Sequence, residues 1–434
     1  MIERSKIIEI LQYWNFWNRK IYTGIPRPTY TNELFRQRKL KEISILTGIR
    51  HSGKSTIILQ VFEEIIKSGV NPLNTLYINF EEPAFAANLV LDFLSEIYDA
   101  YLEQFNPKGK VYIVLDEIQY ISSWEKFVRS IYDRNENVKF YITGSSSKLL
   151  SKEYGTSLTG RIYTNEIFPL DFREFLQFKN FGGNLSKVIG TGTPDIRNLF
   201  LEYMKYGGFP RVVLVEDDFD KSALLKEYYS SIIEKDIAQR HSIKDIRKLK
   251  EFCLDVITNI STTYSGYKSV KNIDISQPTA NSFIQFLEEA YLINKIDYFS
   301  YSFSKMKANP FKAYSIDTGL YNSVSFKFSE NIGRVFENLI FLVLRRNKKE
   351  IFYWKDDKGK EVDFLIKEGN KIIEAINVCW NLDENNKKRE VSGLISAMQE
   401  FNLNEAAIVT WDHSSKLNVG DKMIFIKNIF EFIK

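Results

Sequence analysis

An α/β protein of several domains, led by a parallel sheet with a phosphate-binding loop, is the architecture this sequence predicts. Three observations carry that prediction. Between residues 43 and 145, short β-branched or aromatic runs alternate with amphipathic helical segments, the pattern of a parallel sheet covered on both faces. The first run leads into GIRHSGKS, residues 48–55, a glycine-bearing loop that opens a predicted helix. A later run, VYIVLDEIQ, ends in two adjacent carboxylates where a buried strand would reach the sheet edge.

Composition bounds the rest. At 434 residues the chain is too long for one ordinary core, and two to four domains are expected. Apolar residues at 44% and charged residues at 26% are ordinary for a globular protein. The 59 basic and 55 acidic residues leave a net charge of +4, which predicts no strong global attraction to nucleic acid and leaves room for a local basic patch. Two cysteines, Cys253 and Cys379, stand far apart and suggest neither a metal knuckle nor a disulfide framework. The start, MIERSKIIEILQYW, is charged where a signal peptide needs an apolar stretch, and no run reaches the roughly 18 apolar residues of a membrane span. A cytoplasmic protein without a membrane partner is expected.

The elements follow in order. ISILTG, TLYINF, VYIVLD and KFYITG read as strands, with TIILQVFEEIIKSG as a helix between the first two. Residues 1–165 form the phosphate-loop domain, and 166–245, with FPLDFREFLQF and LLKEYYSSIIEKDI, a helical lid. In 246–312 two helices precede an alternating strand, INKIDYFSYSF, and a basic turn, SKMKANPFK, which is the layout of a winged helix. Its second helix would start at an N-cap Ser276 and bury Phe283, Phe286, Leu287, Ala290 and Tyr291. Thr279, Asn281, Ser282 and Gln285 would face solvent between Lys268, Lys271, Lys305, Lys307 and Lys312, a surface suited to double-stranded DNA. A protein-packing wing fits the same residues. Residues 313–434 mix helices with the strands IFYWKD, EVDFLI, IIEAINV and AAIVTW.

The loop defines a nucleotide site. Gly48 and Gly53 let the backbone turn its N–H groups toward phosphates, with His51 and Ser52 between them. Lys54 would reach the β and γ phosphates of ATP, and Ser55, with Thr56 beside it, would complete a Mg2+ shell that Asp116 would hold through water. Glu117 would polarise the attacking water. Ser145, at the end of a neighbouring strand, is placed to sense the γ-phosphate, and Asn79 to hold Glu117 in an off state. Arg161 is a candidate charge stabiliser, in cis or toward a neighbour in a homo-oligomer.

Together these residues resemble a prokaryotic, largely archaeal family of AAA+-type ATPases with a C-terminal domain of unknown function. The resemblance rests on GIRHSGKST, IVLDEIQ, ITGSSSKLL…LTGRIYTNEIFPLDFREFL, YGGFPRVV, YYSSIIEKDI, AYSIDTGLYN, RVFENLIF and EVDFLI…IIEAINV. The family usually has a second arginine where His51 stands. It implies an AAA+-like P-loop domain and ATP with Mg2+. It also implies a C-terminal domain similar to the restriction-endonuclease-like PD-(D/E)xK fold, with Glu337 as outer acid and Asp363 and Glu374 as central carboxylates around a metal. The lysine such a nuclease needs two positions after Glu374 is replaced by Ile376. The expectation is therefore a nucleotide-driven switch coupled to a winged helix and a catalytically silent, vestigial nuclease domain that binds DNA or a protein partner. The alternatives are an ATP-gated DNA nuclease and a nucleotide-gated adaptor with no DNA role.

Overall fold

The four β-branched and aromatic runs of the first region, joined by a fifth strand, pair side by side in a computed structural model of the chain, which describes residues 2–134, 137–146, 158–265, 267–325, 332–347 and 349–433. Residues 147–157, which begin within the GSSSKLL run, and the side chain of Lys268 lie outside the described residues. Helices α1 (Arg4–Trp14) and α2 (Pro28–Gln37) precede strand β1 (Ile43–Thr47) and helix α3 (Lys54–Lys67). Strand β2 (Thr75–Asn79), helix α4 (Leu91–Phe105), strand β3 (Val111–Asp116), helix α5 (Trp124–Arg134) and strands β4 (Val138–Gly144) and β5 (Ile162–Glu166) follow.

The strands form one parallel sheet in the order β2-β3-β4-β1-β5. Alternate residues serve opposite faces, as the pleat requires. Ile45, Ile78, Ile113 and Ile142 pack with Leu94 and Ile97 of α4 and Ile7 and Leu11 of α1. Leu46, Tyr77, Val114 and Tyr141 pack with Ile57, Ile58, Val61 and Phe62 of α3. Strand β5 was not expected, since the sequence was read as turning helical from residue 165. Its IYTNE is polar and half exposed because an edge strand has one neighbour and need not be apolar.

Met1–Ile167 with Glu289–Tyr291 make one compact unit, and Phe168–Glu288 with Leu292–Lys434 the other. In the second unit, helix α6 (Asp218–Ser231) passes into a π-helical turn, Ile232–Gln239. Then come α7 (Ile246–Thr258), β6 (Thr263–Tyr264), α8 (Tyr267–Ile273), α9 (Gln277–Glu289), β7 (Ile293–Ile296), α10 (Phe303–Ala308) and β8 (Phe311–Ser315), with the strands antiparallel in the order β6-β8-β7. Ser276 accepts the Thr279 N–H at the start of α9, and Phe283 and Leu287 are buried. The strand expected along INKIDYFSYSF stops at Ile296. Beyond it the backbone of Asp297 and Phe299 exchanges hydrogen bonds with Tyr353, so the chain leaves one sheet for the next, and Ser302 caps α10.

A six-stranded mixed sheet completes the unit: β9 (Glu350–Lys355), β10 (Glu361–Glu368), β11 (Lys371–Cys379), β12 (Glu405–Thr410), β13 (Ser415–Val419) and β14 (Lys422–Asn428), in the order β13-β14-β12-β11-β10-β9. Helix α11 (Ile332–Arg346) precedes the sheet in the chain, and α12 (Glu384–Glu400) joins β11 to β12. Leu394, Ala397 and Met398 of α12 pack on Val362, Leu365, Ile408 and Ile424. Both cysteines are buried free thiols, and among the described residues no helix is long and apolar enough to cross a membrane.

Candidate functional site

Because its strands run in parallel, the sheet of the first unit presents the ends of β1, β3 and β4 along one edge. The loop after β1 uses glycine where the backbone demands it. Gly48 has φ of 139° and Gly53 of 94°, in the region L side chains avoid. A Cβ on Gly48 would lie 2.1 Å from the Ile167 carbonyl oxygen, so the loop has no room there for any other residue. Lys54 is buried and its Nζ donates to the carbonyls of Gly48 at 3.0 Å and Ile49 at 3.1 Å, 4.0 Å from a Glu117 carboxylate oxygen. Helix α3 has no side-chain cap, so its first-turn N–H groups face the loop. The Ser52 and Thr47 hydroxyls are buried without a hydrogen-bond partner among the described residues. Uncapped donors and orphaned hydroxyls around a glycine loop fit a phosphate chain.

The carboxylates stand beside that loop. Asp116 accepts hydrogen bonds from the Tyr77 and Thr143 hydroxyls, and Tyr77 in turn bonds Ser55. The two residues expected to serve Mg2+ are thus bridged by one buried phenol, which burial and then Asp116 hold firmly protonated. One carboxylate, one hydroxyl and bound phosphates, with water completing the shell, is a donor set that Mg2+ accepts. Glu117 has φ of 55°, its N–H donates to Thr143 Oγ1 at 3.1 Å, and burial raises its pKa against the opposing pull of Lys54.

Not every expected residue arrives. Asn79 Oδ1 accepts the Glu81 N–H at 2.9 Å and makes a turn instead of holding Glu117. That contact belongs to Gln119, whose Nε2 donates to Glu117 and lies 3.4 Å from Ser145 Oγ. Ser145 itself is fully buried at the end of β4. His51 is exposed on the loop and Thr56 in the first turn of α3. Arg161 sits beside Ile162, which pairs with Ile43 at the start of β1, roughly 15 Å by strand rise from the loop end, and it pairs with Asp133 at 3.5 Å. In its own chain Arg161 stands at the opposite end of β1 from the loop. The sequence did not mark Arg50 either, whose guanidinium holds Glu81 at 2.8 Å beside the loop.

The carboxylates of the second unit are also arranged differently from expectation. Register shifts occur between Val362 and Leu365 and between Ile366 and Lys367, so simple alternation fails on both sides of Asp363 and at Glu374. Glu374 pairs across the strands with Ile366, is half exposed and lies 3.9 Å from Lys349. It joins neither Glu337 nor Asp363. The residue beside Asp363 is Asn377, which accepts the Asp363 N–H at 3.1 Å. Lys312, expected as an exposed base for phosphate contacts, is 2% exposed and pairs with Glu337, Glu361 and Asp363. The metal triad of Glu337, Asp363 and Glu374 is not assembled, and no cluster of three or more His, Cys, Asp or Glu suited to a metal exists among the described residues.

Loop, sheet and carboxylates define a P-loop nucleotide-binding domain, and residues 40–176 match the family described as an AAA domain. Residues 197–331 and 332–429 match two domains of unknown function, DUF8612 and DUF4143. The chain is 37% identical over 396 residues to the uncharacterized protein MJ1544 of Methanocaldococcus jannaschii, covering 88% of this chain and 85% of that one, and it belongs to that protein's family. An uncharacterized protein of Haemophilus influenzae is 29% identical over 368 residues, 83% of this chain and 88% of its own. Among solved structures, the Aeropyrum pernix ORC1 protein in complex with DNA aligns with 14% identity and a TM-score of 0.35, over 70% of this chain and 94% of its own.

Proposed function

We propose that the chain is a nucleotide-driven switch that binds ATP with Mg2+ in its first unit and hydrolyses it. The convergence of Lys54, Asp116 and Glu117 on a loop with an orphaned buried Ser52 hydroxyl supports this reading most directly. Bound Mg2+ neutralises phosphate charge, with Ser55 and Asp116 as the residues that would hold it. Lys54 leaves the loop carbonyls for the β and γ oxygens. Glu117 accepts the proton of an in-line water, a role its raised pKa favours. Arg161, out of reach in its own chain, would serve a neighbouring copy.

In the second unit we read α7, β6, α8, α9, β7 and β8 as a winged helix. Asn281, Ser282 and Gln285 on α9 are exposed, as are Lys305 and Lys307 on α10, and this surface supports contact with duplex DNA. The six-stranded domain is read as a nuclease-like fold without activity, since Glu374 stands apart and Lys312 occupies the carboxylate cluster. Nucleotide binding and hydrolysis separate cleanly by mutation. Lys54→Ala is expected to lose tight ATP binding, and Glu117→Gln to keep binding while stopping turnover. Equal hydrolysis by wild type and Glu117→Gln would sink the assignment.

A further inference from the structure

We infer that the Lys312 ammonium fills, as a resident cation, a cluster of three carboxylates that is not arranged for a metal while the lysine is in place and would take a divalent ion only without it. Lys312 Nζ lies 2.7 Å from Glu361, 3.0 Å from Asp363 and 3.2 Å from Glu337. An ammonium has three N–H donors, and here each has its own carboxylate. These are hydrogen-bond separations, longer than the 2.0–2.6 Å or so that Mg2+ or Ca2+ takes to oxygen.

Two of the acids commit their second oxygen as well. Asp363 Oδ2 accepts the Val378 N–H at 2.9 Å and Glu361 Oε2 pairs with Lys355 at 2.9 Å, while Glu337 Oε1, the oxygen that faces Lys312, also accepts the Tyr314 hydroxyl at 2.8 Å. Without Lys312 the three acids would stand close together with no buried counter-charge, which strongly favours uptake of a cation. A cation could arrive from solution, because Glu337, Glu361 and Asp363 line a cavity of about 410 Å³.

Cation and anions come from different modules. Lys312 is on β8 of the three-stranded sheet, whereas Glu337 is on α11 and Glu361 and Asp363 are on β10 of the six-stranded one. The lysine therefore acts as a plug: it ties β8 to the larger sheet and keeps metal out, and withdrawal of β8 would exchange ammonium for a solvent cation. This is independent of the nucleotide site.

Mn2+ binding by the full-length chain without nucleotide, read by electron paramagnetic resonance and by thermal melting, tests it. Wild type and Asp363→Asn are expected to bind Mn2+ alike. Lys312→Ala should gain about one Mn2+ per chain and melt at a higher temperature with Mn2+ than without, and Lys312→Ala with Asp363→Asn should lose both gains. If Lys312→Ala folds only when refolded in Mn2+, that too supports the plug. Asp363-dependent Mn2+ binding in wild type overturns it. So does a Lys312→Ala chain that takes up no Mn2+, or that fails to fold in its presence.

Discussion

Glu117 is set for its task by backbone conformation as much as by its carboxylate. In the left-handed region at φ 55°, it turns the chain out of β3 and points its N–H at Thr143. The carboxylate is then held by Gln119, which also reaches Ser145, the hydroxyl expected to report the γ-phosphate. In the proposed cycle Gln119 would link sensor and base. Gln119→Ala is expected to raise basal ATP hydrolysis by up to about tenfold, since releasing a hydrogen bond of about 1.4 kcal/mol frees the base. ATP affinity should change little. An unchanged or reduced turnover number would refute the latch. That Lys54, Asp116 and Glu117 would gather at one edge of the sheet was legible in the sequence because their placement depends on local spacing along the chain. Gln119 was not, since it lies in the same DEIQ run but acts through a fold-back that no periodicity announces. Asn79 looked equally suitable and is spent on a turn.

At the scale of elements, apolar strands flanked by a glycine loop were plain in the sequence, and irregular ones were not. Two bulges in β10 and β11 decide which carboxylates meet, and a bulge leaves no compositional mark. Likewise an edge strand such as β5 need not look apolar. Strand β4 carries a further consequence in Lys139, fully buried with its Nζ on the Glu42 carbonyl. Burial, then nearby Lys110, pulls its pKa down from 10.5 to about 7. Between those values the unfolded chain keeps a proton that the folded chain has shed, so stability rises with pH across that window and falls again as pH drops toward 7. The slope is at most about 1.4 kcal/mol per pH unit. Chemical denaturation at pH 7, 8 and 9 should show wild type gaining on Lys139→Met, whose side chain cannot titrate. Parallel curves would count against it.

For the molecule as a whole, a net charge of +4 gives little long-range pull on nucleic acid, so any affinity must come from a local patch. Lys305 and Lys307 on α10 are exposed bases of this region. Lys305→Glu with Lys307→Glu is expected to weaken duplex binding equally across sequences and to flatten its salt dependence, by about one unit of log–log slope per lost phosphate contact. An unaltered slope would assign the wing to protein contact. The close approach of Gly48 to Ile167 bears on the same scale. Ile167 is the residue at which the first unit's main run of chain ends, and its carbonyl fills the space a side chain on Gly48 would need. Its N–H also closes a hydrogen bond of 2.7 Å to Thr47, just before the loop. Any side chain added at Gly48 therefore pushes backbone against backbone at the outlet of the sheet. Neither partner brings a side chain to the contact, so truncating side chains would pass over it, whereas a larger residue at Gly48, or an insertion or deletion near residue 167, would disturb it.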